Sequence, residues 1–174
     1  YDLVTIEPGL QRIEHLVIGD PRRPDLTADW VELSVDYTPW SGVGVSSLAA
    51  GGVRLRGRVA GGKLSLGAID RLLPASSGGP LSLPDIDMRL SDARMHLDTP
   101  FGQAGLALDG SGNLSDGFQG KLAAIAPRLA IGACEADRAT AFVNIAVSDA
   151  KPAFDGPLRA RGVHCDSGLS FTAP

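Results

Sequence analysis

The chain has 174 residues, room for one domain of ordinary size. Its 16 basic and 20 acidic side chains leave a formal charge of −4, without the basic excess that binding a phosphate backbone requires, so nucleic acid is not an expected partner. Apolar residues make up 44%, which separates the chain from disordered sequences, yet no stretch of 18 apolar residues is present to cross a membrane as a helix.

Aromatic residues are only 5% of the chain, against 22 Gly and 12 Pro. Any core must therefore be built from Leu, Ala and Val, and the backbone must turn or bend often. The chain opens in strand-like residues (Leu3, Val4, Ile6) with no initiator Met and no signal-peptide pattern. It is expected to be a segment of a longer polypeptide.

In the first half, Gln11 to Ile18 alternates apolar and polar residues, and Gly19-Asp20-Pro21 ends the run. Period-two alternation is the mark of a strand with one apolar face. Leu26 to Tyr37 is a long strand whose phase flips: Leu26, Ala28 and Trp30 point one way, then Val31, Leu33, Val35 and Tyr37 take over. Such a flip predicts a β-bulge. Pro39-Trp40-Ser41-Gly42 breaks the pattern. Val53 to Val59 alternates again, with Arg54, Arg56 and Arg58 on one face and Gly61-Gly62 as a hairpin turn. Leu66 to Leu73 differs: Ile69, Leu72 and Leu73 at i, i+3, i+4 before Pro74 predict a helix of about two turns.

Leu81 to Gly120 is the most regular stretch. Ile86, Met88 and Leu90 share one phase; Ala93, Met95 and Leu97 share another, split by Ser91-Asp92. Phe101 to Leu108 continues the texture, Gly110-Ser111-Gly112 bends it, and Ser115-Asp116-Gly117 forms a turn answered by Phe118 to Ile125. Arg128 to Cys134, Ala139 to Val147 and Ala153 to Cys165 are further strands. About ten strands at this spacing predict an all-β, mostly antiparallel meander with one short helix. The chain reads as one β-rich segment, 1–174: strands and helix over 1–73, a connector over 74–80, and a meander over 81–174.

No catalytic constellation accompanies these strands. GxSxG, HExxH, P-loop and CxxC patterns do not occur, and Asp85, Asp87 and Asp92 lie at spacings expected of polar strand faces and turns. His15, His96 and His164 follow no metal-ligand spacing. Asp109-Gly110-Ser111-Gly112-Asn113 lacks the downstream acidic ligand of a calcium loop and reads as a bent strand. The expectation is a non-enzymatic protein with no metal and no cofactor. Cys134 and Cys165 are either one disulfide, closing a loop of about 30 residues and adding about 3 kcal/mol, or two buried thiols. Trp30 and Trp40 flank the second strand, as plugs of a β core or as residues at a lipid interface.

The segments QRIEHLVIGDP, PDLTADWVEL, GGVRLRGRV, KLSLGAIDRLLP, DARMHLDTPFG and LSDGFQGKL resemble the YdbH-like proteins of the AsmA-like/TamB group, and the likeness runs from about Tyr1 to Cys165. The resemblance implies a periplasmic part built as a curled β-sheet with an apolar groove, an anchor helix in the inner membrane lying outside this chain, and passage of phospholipid between inner and outer membranes. The inward aliphatic rows expected to line that groove are Ile86, Met88, Leu90, Met95, Leu97, Leu106, Leu108 and Leu122. The stripe of Arg54, Arg56 and Arg58 either meets lipid phosphates at the groove rim or pairs with carboxylates on a solvated face. Expected partners are phospholipid acyl chains, the rest of the same bridge protein, other envelope proteins, and further copies through exposed sheet edges. The competing expectation is a structural or interaction module of the envelope: a closed β-sandwich whose two sheets cover each other.

Overall fold

The computed structural model describes residues 3–7, 9–38, 42–71, 83–166 and 170–171. Fourteen strands form one sheet. They are β1 (Leu3–Glu7), β2 (Leu10–Asp20), β3 (Arg23–Thr38), β4 (Gly42–Gly51), β5 (Arg54–Ala60), β6 (Lys63–Ser65), β7 (Asp87–Thr99), β8 (Gly102–Asn113), β9 (Gln119–Ala126), β10 (Leu129–Ile131), β11 (Cys134–Ser148), β12 (Lys151–Asp155), β13 (Leu158–Cys165) and β14 (Ser170–Phe171). The fold is all-β and mostly antiparallel, and the sheet is curled.

The path across the sheet is β1-β2-β3-β4-β7-β8-β9-β11-β13-β14. β4 and β5 follow one another between β3 and β7, pairing antiparallel with β3 and parallel with β7. β11 is long enough to pair with β9 and β10 on one side and with β12 and β13 on the other. Asp149 and Ala150 both have positive φ (52° and 57°), the geometry of a tight two-residue hairpin, and they join β11 to β12.

Phase reversals crossing the sheet shape it. On β8, Leu106 and Gly110 are four apart in a regular register and so share a face. Their β7 partners, Met95 and Leu90, are five apart, and the register shifts between Leu90 and Ala93. The same odd spacing recurs in the rows that continue outward: Leu55 and Ala50, Leu26 and Val31, Ile18 and Ile13. Each of these strands thus inserts one residue at the same level. Three insertions carry a left-handed residue: His15 (φ 50°), Gly52 (φ 62°) and Asp92 (φ 49°). Asp and His are among the few side-chain-bearing residues that tolerate this region. The resulting seam ends at β8, where Asp109 Oδ1 accepts the Asp92 N–H at 2.7 Å. On β11 a second reversal sits between the buried Ala136 and Ala139, with Asp137 and Arg138 exposed between them. On β13, Gly162 (φ 55°) lies beside it, and the Asp137 carboxylate occupies the space a Cβ there would need.

The structure corrects three expectations and bears out the bulge expected near Trp30. Ser91-Asp92 is a bulge inside one strand, not a break between two. The flip near Trp30 is the residue β3 inserts in the first seam, as the phase change predicts; the register shifts of β3 against its neighbours lie elsewhere, opposite Ile18/Gly19 and at Ser34/Val35. The described part of the expected helix, Gly67–Arg71, is 3₁₀ rather than α, held by Asp70 and by Asp25, whose Oδ2 accepts the Ala68 N–H at 2.9 Å; Leu72, Leu73 and the 74–80 connector lie outside the described residues. A closed sandwich is not formed, because all described strands belong to one sheet.

Candidate functional site

The register assembles two apolar rows. One runs Ile18, Leu26, Leu55, Met95, Leu106, Ala124, Ala141, Leu158; the other runs Ile13, Val31, Ala50, Leu90, Gly110, Gly120, Ile145, Phe154. Laterally paired residues project from the same side of a sheet, so these sixteen positions, none polar or charged, make one continuous apolar face, eight strands to a row and ten strands in all. Without the first seam, the rows on β2, β3, β4–β5 and β7 would lie on opposite sides.

Seven of the eight aliphatic residues singled out from sequence lie on this face. Leu90, Met95 and Leu106 are in the two rows; Leu108 and Leu122 face each other between them; Met88 and Leu97 stand one row beyond on either side. Ile86 precedes β7, half-buried, with its carbonyl accepting the Leu114 N–H at 2.9 Å. The sequence reading passed over β4, whose Leu48 and Ala50 join the face beside Met88 and Leu90. Its stretch GVGVSSLAAG has small residues in both phases, and a weak alternation of Val43, Val45 and then Leu48 was the only signal.

No second layer covers these rows among the described residues. Fully covered apolar positions are few and small (Ala28, Ala50, Ala126, Ala136, Ala139, Val147), apart from Phe118. The Phe118 ring reaches over Gly110 and Gly120: a Cβ on Gly110 would clash with its Cζ at 2.6 Å, and one on Gly120 would press on its Cε1 at 3.2 Å. It sits beyond the Gly110–Gly120 row and closes that end of the face with an aromatic ring. Leucines and methionines of the rows are half-buried, and the two rows end on Leu158 (77% exposed) and Phe154 (61%) at the outer strands.

The arginine stripe projects from the other side of the sheet, one residue out of phase with Leu55. Arg54 is committed there: its guanidinium donates to the Asp92 carbonyl and to Asp92 Oδ2, both at 2.6 Å, and Arg94 Nε reaches Asp92 Oδ1 at 3.0 Å. These hydrogen bonds, that from Arg54 first, hold the Asp92 carboxyl below the ordinary carboxylate range. Arg56 stands beside His96, and Arg58 beside Asp98 and Ser65. At the first seam, Arg12 bridges Glu14 and Glu32, which raises its pKa, and stacks 5.3 Å above Trp30. The Trp30 indole in turn covers Gly51. Trp40 lies outside the described residues. Cys134 and Cys165 are directly opposed on β11 and β13 and bonded to each other, with Cα atoms 4.0 Å apart.

Among the described residues the fold is thus a single curled sheet whose two rows make one face aliphatic. The family profile described as intermembrane phospholipid transport protein YdbH matches residues 1–173, and the chain belongs to this YdbH-like family. The family is one of lipid transport, not of enzymes; its work is in the cell envelope and its ligand is phospholipid. No curated protein and no solved structure matches the chain. Among the described residues no helix is long and apolar enough to cross a membrane.

Proposed function

We propose that the apolar face is the acyl-chain surface of a β-groove, one segment of an AsmA-like bridge that carries phospholipid between the inner and outer membranes, with the bridge anchored in the inner membrane. The observation that carries this reading is the pair of eight-residue rows free of polar groups and left uncovered by any second layer of described residues. Apolar area exposed on this scale is unstable in water unless something covers it. An acyl chain supplies about 0.8 kcal/mol per buried methylene, on the order of 10 kcal/mol for one tail. Leu, Met, Val and Ala offer such a tail a smooth wall without directional demands. Ile86, Met88, Leu90, Met95, Leu97, Leu106, Leu108 and Leu122 are the proposed contacts, and Arg54, Arg56 and Arg58 lie too far out of phase to share the tail's side of the sheet.

Native mass spectrometry of the purified chain tests this. Phospholipid adducts are expected, and Met88→Asp or Leu106→Asp should remove at least nine-tenths of them. Lys121→Asp, on the other side of the sheet, should leave them in place. A lipid-free folded chain, or equal loss with the Lys121 variant, overturns the reading. Backbone groups at the outer edges of β1 and β12 have no partner strand among the described residues. Edge-to-edge pairing of copies is therefore part of the proposal; a strictly monomeric chain in size-exclusion chromatography at high concentration refutes it.

A further inference from the structure

An open cleft of about 820 Å³ lies over β3, β5, β7, β8 and β9; residues out of phase with the oily rows make up most of its lining, which also takes in Leu55, Met95, Leu106 and Ala124 of the first row. One wall carries the guanidinium groups of Arg54, Arg56 and Arg94, with His96 beside them. The register sets these beside a strip of small and apolar residues, because Arg94 pairs with Ala107 and Ala107 with Ala123, while His96 pairs with Gly105 and Gly105 with Ile125. Ile125 is 37% exposed, and Phe142, opposite Ala123 on β11, is 56% exposed. Charge and bare apolar surface thus adjoin within one concavity. The charges do not cancel. Asp92 and Asp109 lie in the cleft and balance Arg54 and Arg94, but Arg56 has no hydrogen-bond or ion-pair partner among the described residues. In a chain of net charge −4, an arginine left over beside an apolar strip is a feature with a ligand preference.

We infer that this cleft is a second amphiphile site, separate from the acyl face: Arg56 takes a singly charged anionic group, and the strip of Gly105, Ala107 and Ala123 takes the first methylenes of its tail toward Ile125. The volume is within the range of small-molecule pockets. A planar guanidinium pairs with a carboxylate or a phosphodiester through two parallel N–H donors. The missing Cβ at Gly105 and the short Ala107 and Ala123 let a methylene chain approach the backbone. The anion is a fatty-acid carboxylate or the phosphodiester of a lysophospholipid; the shared requirement is one negative charge on an acyl chain.

The test uses the chain with ¹³C-labelled Ile, Leu and Ala methyl groups, and stearate carrying a nitroxide near its carboxylate. Broadening of the Ile125 and Ala123 methyl signals is expected, and Arg56→Glu should weaken it at least tenfold. Ala107→Leu, which fills the strip without touching the charge, should do the same. Leu108 and Leu122, which pair with each other outside the cleft lining, report the acyl face through their methyl shifts on titration with unlabelled stearate and should respond alike in all three proteins, so failure of one site is not mistaken for failure of the other. The nitroxide-labelled methyl ester, which lacks the charge, should not broaden Ile125. Displacement at lower concentration by unlabelled lysophosphatidylglycerol than by unlabelled stearate would assign the site to phosphodiesters; the reverse order would assign it to carboxylates. Unbroadened Ile125, or equal broadening by the ester or in Arg56→Glu, overturns the inference.

Discussion

The seam through β2, β3, β4–β5 and β7 and the reversal through β11 and β13 insert extra residues in the same way, yet they are held by different chemistry. Around the first, the side-chain clasp is ionic and half exposed: Arg54 and Arg94 on Asp92, with Asp109 receiving the Asp92 N–H. Ion pairs this exposed contribute little, so the seam rests chiefly on backbone bonds such as Arg94 N–H to Val53 O at 2.7 Å and Gly52 N–H to Ser91 O at 3.0 Å. The second lies beside a covalent cross-link, with Cys134–Cys165 two residues beyond Ala136 on β11. The difference teaches where each end is vulnerable. Acid and salt act on the β2–β7 end only through its weak ionic clasp; the β11–β13 end answers to reductant.

The largest expected effect breaks the comparison at its covalent end. Replacing both Cys134 and Cys165 by Ser should cost about 3 kcal/mol in urea denaturation. Hydrogen exchange should accelerate in β11 and β13 while β2 to β7 keep their protection; uniform acceleration would show that the cross-link supports the whole sheet. Next come the left-handed glycines, one per region. Gly52→Ala and Gly162→Ala each force a Cβ into an unfavourable backbone region and against the carboxylates of Asp29 and Asp137, respectively. Each should cost about 1–3 kcal/mol in thermal unfolding. In Gly162→Ala, removing the opposing carboxylate with Asp137→Ala should recover part of the loss, and no recovery would point to backbone strain alone.

The smallest effect sharpens the ionic end. The folded chain holds the Asp92 carboxyl below its unfolded value, so the clasp stabilises above roughly pH 4 and fades as pH falls through the folded value. Thermal unfolding should show this acid-side loss in the parent chain and less of it in Arg54→Gln. An identical acid profile in the two proteins would remove Arg54 from the account.

Much of the apolar face was legible residue by residue. Met88, Leu90, Met95, Leu97, Leu106, Leu108 and Leu122 stand out by alternation alone. That Leu90 and Met95 face the same way was not legible, because they are out of phase along the chain. The left-handed turn at Asp92 brings them together, and it is supported by Asp109 and Arg54 from neighbouring strands. β4 was hidden because serine, alanine and glycine fill both phases where it runs. The carboxylate partner of Arg54 was hidden by a separation of 38 residues. The cleft around Arg56 was invisible for a related reason, since its wall and its strip come from strands joined only by register.

By itself the sequence determined that this protein is built of β-strands with one aliphatic phase each and few large aromatic side chains. It also carried the segments by which the chain resembles a lipid-transport family. Tertiary structure alone decided that the strands form one sheet instead of two, that the two phases meet on a single face, and that the arginine stripe lies on the other. The reason is that alternation leaves each strand two equivalent settings, and only hydrogen bonds to its neighbours select between them.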